Sequence, residues 1–271
     1  MSNRFTRLLH PFAWLERKAL FLPERSFRGT PDHVGLDHTD IAPVTADGVK
    51  LHGWHIPAAV APSESEPGSV WLILHGNGGN ISVRLDQYKE IHRRYNASII
   101  AIDYRGYGRS EGEPSEEGLY ADALAAYEFA KQLYPNKKIV VFGRSMGGAV
   151  AAQLASVVSP AALVLEASIS SLQHIMFERA PWIRYTPIRF IVHSKFETVK
   201  HVALGSVPKL IFHGDADQTV SYRNSELIFS AATEPKQLEM VPGGDHDGLD
   251  LVDPEKYHLV LADFLDRHNA L

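Results

Sequence analysis

The sequence predicts an α/β fold, a mostly parallel sheet of about eight strands flanked by helices, with at most a small cap. Three observations lead there. Apolar runs of strand length recur at 70–74, 99–102, 139–142, 162–165 and 210–212, as expected of strands buried on both faces. Helix-length segments separate them, at about 81–95, 115–134, 146–157, 169–180, 221–232 and 255–268. The run Ile139-Val140-Val141-Phe142 passes through Gly143-Arg144-Ser145-Met146-Gly147-Gly148 into small residues, which reads as strand, sharp turn and helix with a serine at the bend.

The N-terminal segment, about 1–30, is amphipathic: Phe5, Leu8, Leu9, Phe12, Leu15, Ala19 and Leu22 recur at helical spacing, with Arg4, Arg7, Arg17 and Lys18 between them. Pro11 divides it into two short helical pieces. The apolar stretches are too short and too charged to span a bilayer, and no signal-peptide core with a cleavage site is present. With Trp14, residues 1–22 suit peripheral contact with a membrane surface; they suit equally well a helix docked on the protein's own body.

A single domain is expected over 31–271. Residues 41–45 and 49–56 read as a hairpin about Asp47-Gly48, and 57–69 as a polar loop. The run 70–74 leads into the glycine-rich turn His75-Gly76-Asn77-Gly78-Gly79-Asn80, whose spacing fits neither a dinucleotide fingerprint nor a phosphate loop. Residues 238–241 supply a last strand before the terminal helix. In such a sheet, reactive groups belong in loops at the carboxyl ends of the strands.

A serine hydroxyl needs a base within hydrogen-bond reach and an acid to orient that base. Ser145 is the expected nucleophile. His246, in the loop after the last strand, is the expected base. The acid should leave the preceding strand, where Asp217 is favoured, Asp215 reads as a turn or cap residue, and Glu166 is a third candidate. The order Ser145, Asp217, His246 is that of α/β-hydrolases and differs from chymotrypsin and subtilisin. An oxyanion needs two donors, assigned to the backbone N–H groups of Met146, at a helix start, and Asn77. His75 reads as a structural hydrogen-bonding residue. The same glycine-serine pattern occurs at Gly108-Arg109-Ser110-Glu111-Gly112, but the segment after it, Glu113-Pro114, reads as loop, so Ser110 is expected to be a surface-loop serine.

Composition narrows the remaining classes. A net charge of −5 without a basic stripe argues against nucleic acid as a partner. With 0 cysteines there are no disulfides or thiolate ligands, and the 14 histidines show no metal-binding spacing, so neither metal nor cofactor is expected. A cytoplasmic location, with or without peripheral membrane association, is the default. The cap region near 168–207 leaves room for one helix and a small excursion. Phe177, Trp182 and Tyr185 are its candidate substrate contacts, in a stretch that also holds Ile183, Ile188, Phe190 and Phe196; the alternative is that they are core residues.

From about residue 41 to 265 the chain resembles the α/β-hydrolase superfamily. Within it, the chain is similar to the bud-emergence-type subgroup of small serine hydrolases, which includes lipid- and depalmitoylation-related α/β-hydrolase-domain proteins. The residues carrying this are His75 to Asn80, Asp103-Tyr104-Arg105-Gly106-Tyr107-Gly108-Arg109-Ser110-Glu111-Gly112, Gly143 to Gly148, and His213-Gly214-Asp215-Ala216-Asp217. Asn77-Gly78 stands where Asn-Ala is usual, and Asp245 replaces a small residue before His246. The resemblance implies a serine hydrolase acting on carboxylic esters or thioesters, with a small or lipid-like acyl substrate held as an acyl-enzyme. The alternatives are an amide or peptide hydrolase on the same residues, and a membrane-associated binding protein on a hydrolase fold.

Overall fold

A computed structural model of the protein describes residues 13–59, 68–187 and 192–271. The first piece of the amphipathic segment, residues 60–67 of the polar loop, and Ile188 and Phe190 of the cap lie outside the described residues. The main sheet is built from β2 (Thr39–Ile41), β3 (His52–Ile56), β4 (Val70–Leu74), β6 (Ser98–Asp103), β7 (Ile139–Arg144), β8 (Ala162–Glu166), β9 (Lys209–Gly214) and β10 (Lys236–Val241). These eight strands lie in the order β10-β9-β8-β7-β4-β6-β3-β2. The six strands from β10 to β6 are parallel; β3 and β2 are antiparallel.

Alternation along the strands divides the core in two. Leu72 and Leu74 of β4 join Val141, Leu163 and Ile211 on one face, against α3 (Glu116–Leu133), α4 (Met146–Val157) and α7 (Arg223–Ala231). Trp71 and Ile73 join Phe142, Val164 and Phe212 on the other, against α2 (Leu85–Tyr95) and α9 (Pro254–Arg267). Residues of β4 are therefore apolar at every position because both faces are covered.

The alternating strand and helix pattern appears as expected, with differences at the element ends. The segment 81–95 opens with a 3₁₀ turn, Ile81–Arg84, before α2. The cap helix shortens to α5 (Leu172–Arg179), because the Ser171 side chain accepts from the His174 N–H and fixes its start. A short helix, α6 (Thr198–Val202), lies in the last part of the cap region, and another, α8 (Leu249–Val252), precedes α9, whose start is set by the Asp253 side chain and Pro254. The hairpin about Gly48 (φ +84°) is present, with its ladder displaced outward to β2 and β3.

The N-terminal segment docks on the body. Helix α1 (Ala13–Leu20) leads into β1 (Leu22–Pro23), which pairs in parallel with β5 (Gly78–Gly79) of the glycine-rich turn, apart from the main sheet. Phe21 is buried and meets the ring of Phe196 edge-on, with centroids 6.2 Å apart. Among the described residues no helix is long and apolar enough to cross a membrane.

Candidate active site

Ser145 sits between the carboxyl end of β7 and the first turn of α4 with φ 55° and ψ −121°, a backbone state that costs a residue with a Cβ about 1–3 kcal/mol. Its own bonds hold it there: the Ser145 N–H donates to the Glu166 carbonyl at 2.9 Å, and the Gly148 N–H donates to the Ser145 carbonyl at 3.0 Å. The glycine at 147 is required by close approach. A Cβ on it would collide with the carbonyl oxygens of Leu74 and His75, so only glycine lets α4 start against the end of β4.

The structure brings Ser145, His246 and Asp217 together from three strand ends. His246 Nε2 lies 3.2 Å from Ser145 Oγ, and His246 Nδ1 lies 2.7 Å from Asp217 Oδ2. Asp217 Oδ1 accepts from the Thr219 and Val220 N–H groups at 2.7 and 2.8 Å. Burial raises the cost of charging Asp217, but hydrogen bonds from His213, His246 and the Val220 N–H outweigh it and hold its carboxyl well below the ordinary carboxylate range. An ionised Asp217 keeps the proton of neutral His246 on Nδ1, leaving Nε2 free to accept from Ser145.

Asp215 is a tie between loops: its Oδ1 accepts from the Gly243 N–H at 2.6 Å. Asp245 does the same from the other side, accepting from the Gln218 N–H at 3.3 Å. Glu166 does not reach His246; it is buried, accepts from the Tyr257 hydroxyl at 2.6 Å and pairs with Arg144.

The glycine-rich turn crosses the nucleophile, since a Cβ on Gly76 would lie 3.3 Å from Ser145 Cβ. Gly76, Asn77 and Met146 line the same cavity as Ser145 and His246. The Asn77 side chain faces the N-terminal segment: Nδ2 donates to the Leu20 carbonyl at 2.6 Å, and Oδ1 accepts from the Leu22 N–H at 3.3 Å and the Tyr107 hydroxyl at 3.0 Å. His75 is buried beneath, with Nδ1–H donating to the Gly76 carbonyl at 2.8 Å. Burial pushes its pKa down to about 4, so its ring is neutral.

The cavity measures about 1110 Å³, just above the usual range of small-molecule sites. Its apolar lining includes Ile183 and Phe196 of the expected stretch but not the three candidate contacts. Phe177, Trp182 and Tyr185 are not among the lining residues, and Trp182 and Tyr185 are exposed at 59% and 84%. Helical geometry explains Phe177: α5 turns Leu172, Ile175, Met176 and Arg179 to the cavity, a set spaced by three and four that passes over residue 177. Ile183, Val192 and Phe196 complete that wall. Ser110 also needs correction. It lies in a loop, but it is 1% exposed, donating to the Asp103 carbonyl at 2.6 Å and accepting from the His52 N–H at 2.8 Å. The loop folds back onto the paired ends of β6 and β3, so the second glycine-serine pattern is a structural lock.

A charge network centred on buried Arg144 and Glu166 escaped the sequence reading. Arg144, the residue between Gly143 and Ser145, donates to the His246 carbonyl and to Asp247 Oδ1, and its Nε lies 3.2 Å from Glu166. Arg84 approaches the same Asp247 oxygen at 3.3 Å. The second position of a glycine-serine turn carries no pattern constraint, so no motif singles out Arg144. The wall formed by Leu15, Ala19 and Leu20 was likewise missed, although their helical spacing was the available signal.

A mostly parallel sheet with a serine, an aspartate and a histidine brought together beyond the carboxyl ends of its strands is the arrangement of the α/β hydrolase class. Residues 71–186 match the α/β hydrolase fold family. The chain is 34% identical over 245 residues to Rv2307c of Mycobacterium tuberculosis, covering 89% of this chain and 84% of that one. It is 30% identical over 267 residues to bem46 of Schizosaccharomyces pombe, covering 94% and 87%. Among solved structures, the Pyrococcus furiosus esterase Pf2001 superposes with a TM-score of 0.75 at 20% identity, covering 92% of this chain and 98% of that one. The chain belongs to the α/β hydrolase fold family.

Proposed function

We propose that the protein is a serine hydrolase cleaving carboxylic esters or thioesters of lipid-like acyl groups through Ser145, His246 and Asp217. The carrying observation is the continuous relay from Ser145 Oγ through His246 to a carboxylate that stays ionised. His246 Nε2 takes the Ser145 proton as Oγ attacks the acyl carbon, and Asp217 stabilises the imidazolium. The tetrahedral oxyanion accepts from the backbone N–H groups of Met146 and Asn77, the first assisted by the 12-residue helix α4 behind it. Collapse expels the alcohol or thiol, protonated by His246. A water deprotonated by His246 then attacks the acyl-enzyme, releasing the acid and restoring Ser145.

The apolar lining on α5 and the cap supports an acyl substrate. A fluorophosphonate probe tests the nucleophile: wild type and Ser110→Ala should label, and Ser145→Ala should not. Labelling that survives Ser145→Ala sinks the assignment. Peripheral membrane contact through residues 1–22 is supported by Trp14, 57% exposed on α1 with the Lys18 ammonium 4.1 Å from its ring centre. In liposome flotation, Trp14→Ala should reduce the bound fraction; no binding by wild type refutes that contact.

A further inference from the structure

We infer that helix α1 is the specificity wall of the acyl site, with Ala19 setting how long an acyl chain the cavity accepts. The inference rests on reading the cavity as an acyl site. Leu15, Glu16, Ala19 and Leu20 form one stripe of α1 that lines the cavity, as do Ile183 and Val192 of the cap. Trp14 and Lys18 are exposed, as Leu15 and Ala19 are, but do not line the cavity. Ala19 is the small residue in that stripe, so a larger side chain there adds bulk to the cavity lining.

The helix is held at both ends of the site. Glu16 accepts from the His193 and Ser194 N–H groups of the cap at 3.0 and 2.7 Å. Burial opposes its charge, but these two bonds prevail and hold its carboxyl below the ordinary range. On the other side the Asn77 side chain grips Leu20 and Leu22, and the Glu24 N–H donates to the Gly79 carbonyl at 3.1 Å. A wall fastened to the cap and to the glycine-rich turn cannot yield to a bulkier side chain without disturbing both. A larger residue at 19 therefore takes space from the acyl chain.

The test uses full-length protein. For p-nitrophenyl esters from butyrate to dodecanoate, Ala19→Phe should lower the dodecanoate-to-butyrate ratio of kcat/KM by at least about tenfold, since each displaced methylene is worth about fourfold. Fluorophosphonate labelling of Ser145 should report an intact site. Leu15→Ala, which removes wall surface without adding bulk, should also lower the ratio, whereas Trp14→Ala should leave it unchanged. An unchanged ratio in folded Ala19→Phe and Leu15→Ala overturns the inference. If wild type neither labels nor hydrolyses esters, the proposed reaction fails, and dodecanoate binding to wild type and Ala19→Phe still decides the wall. Weaker binding in Ala19→Phe supports it; equal binding refutes it.

Discussion

Asp217→Asn separates orientation from shape at the candidate site. Asp217 Oδ1 accepts from two backbone N–H groups, at 2.7 and 2.8 Å, so the amide oxygen of an asparagine must take that place. Its NH₂ group then occupies the Oδ2 position, 2.7 Å from His246 Nδ1. An NH₂ there donates, which moves the imidazole proton to Nε2, the atom that should accept from Ser145 at 3.2 Å. The expected loss of kcat is about 10⁴-fold, as for a wrong-tautomer triad, or ~5 kcal/mol of barrier. Initial rates on p-nitrophenyl butyrate, with a thermal melt to show native packing, measure it. A fall of less than about tenfold with an unchanged melt would mean that Asp217 does not orient His246.

Three further outcomes are expected. Gly147→Ala should abolish soluble folded protein or lower its melting temperature steeply, because the added methyl meets the carbonyls of both Leu74 and His75; a native melt would show that α4 can back away from β4. Arg144→Met should cut kcat by about 10–100-fold with little change in KM, by releasing the His246 carbonyl and Asp247; equal effects on both constants would argue for a binding role instead. His75 has a folded pKa of about 4, below its unfolded value of about 6.5, so the unfolded state binds the proton first as pH falls. Its contribution, about 3 kcal/mol, is full above pH ~6.5 and lost by pH ~4; urea melts across that window should show a flatter dependence for His75→Phe than for wild type.

Much of this arrangement was legible because each catalytic-type residue is announced by its local sequence. The apolar run before Ser145 and the small residues after it can form only a buried strand and a closely packed helix, which is how the structure uses them. Asp217 and His246 come directly after strands β9 and β10, so chain order sufficed to pair them. The substrate wall was not legible in the same way. Phe177, Trp182 and Tyr185 have the right chemistry, but which side of a short cap helix faces the cavity depends on how the cap sits, and that is set by remote contacts such as Glu16 to Ser194. Ser110 was misplaced for a related reason: its polar loop reads as surface, and only the His52 N–H and the Asp103 carbonyl, brought by β3 and β6, offset the cost of burying its hydroxyl.

The histidine loop has two glycines, Gly243 and Gly244, and would be mobile on its own sequence. Asp215 and Asp245 cross-tie it to the loop that carries Asp217, so base and acid move as one body. Arg144 then joins that body to the nucleophile turn by donating to the His246 carbonyl. The charge on Arg144 is met by Glu166 and Asp247, and Glu166 is itself held by Tyr257 on α9. Each tie comes from a different strand end, so breaking one leaves the others to hold the loop. Arg144 is the exception, because it alone of these ties reaches from the serine turn to the histidine loop, and its loss should loosen the distance between Ser145 and His246 while leaving the bond between His246 and Asp217 intact.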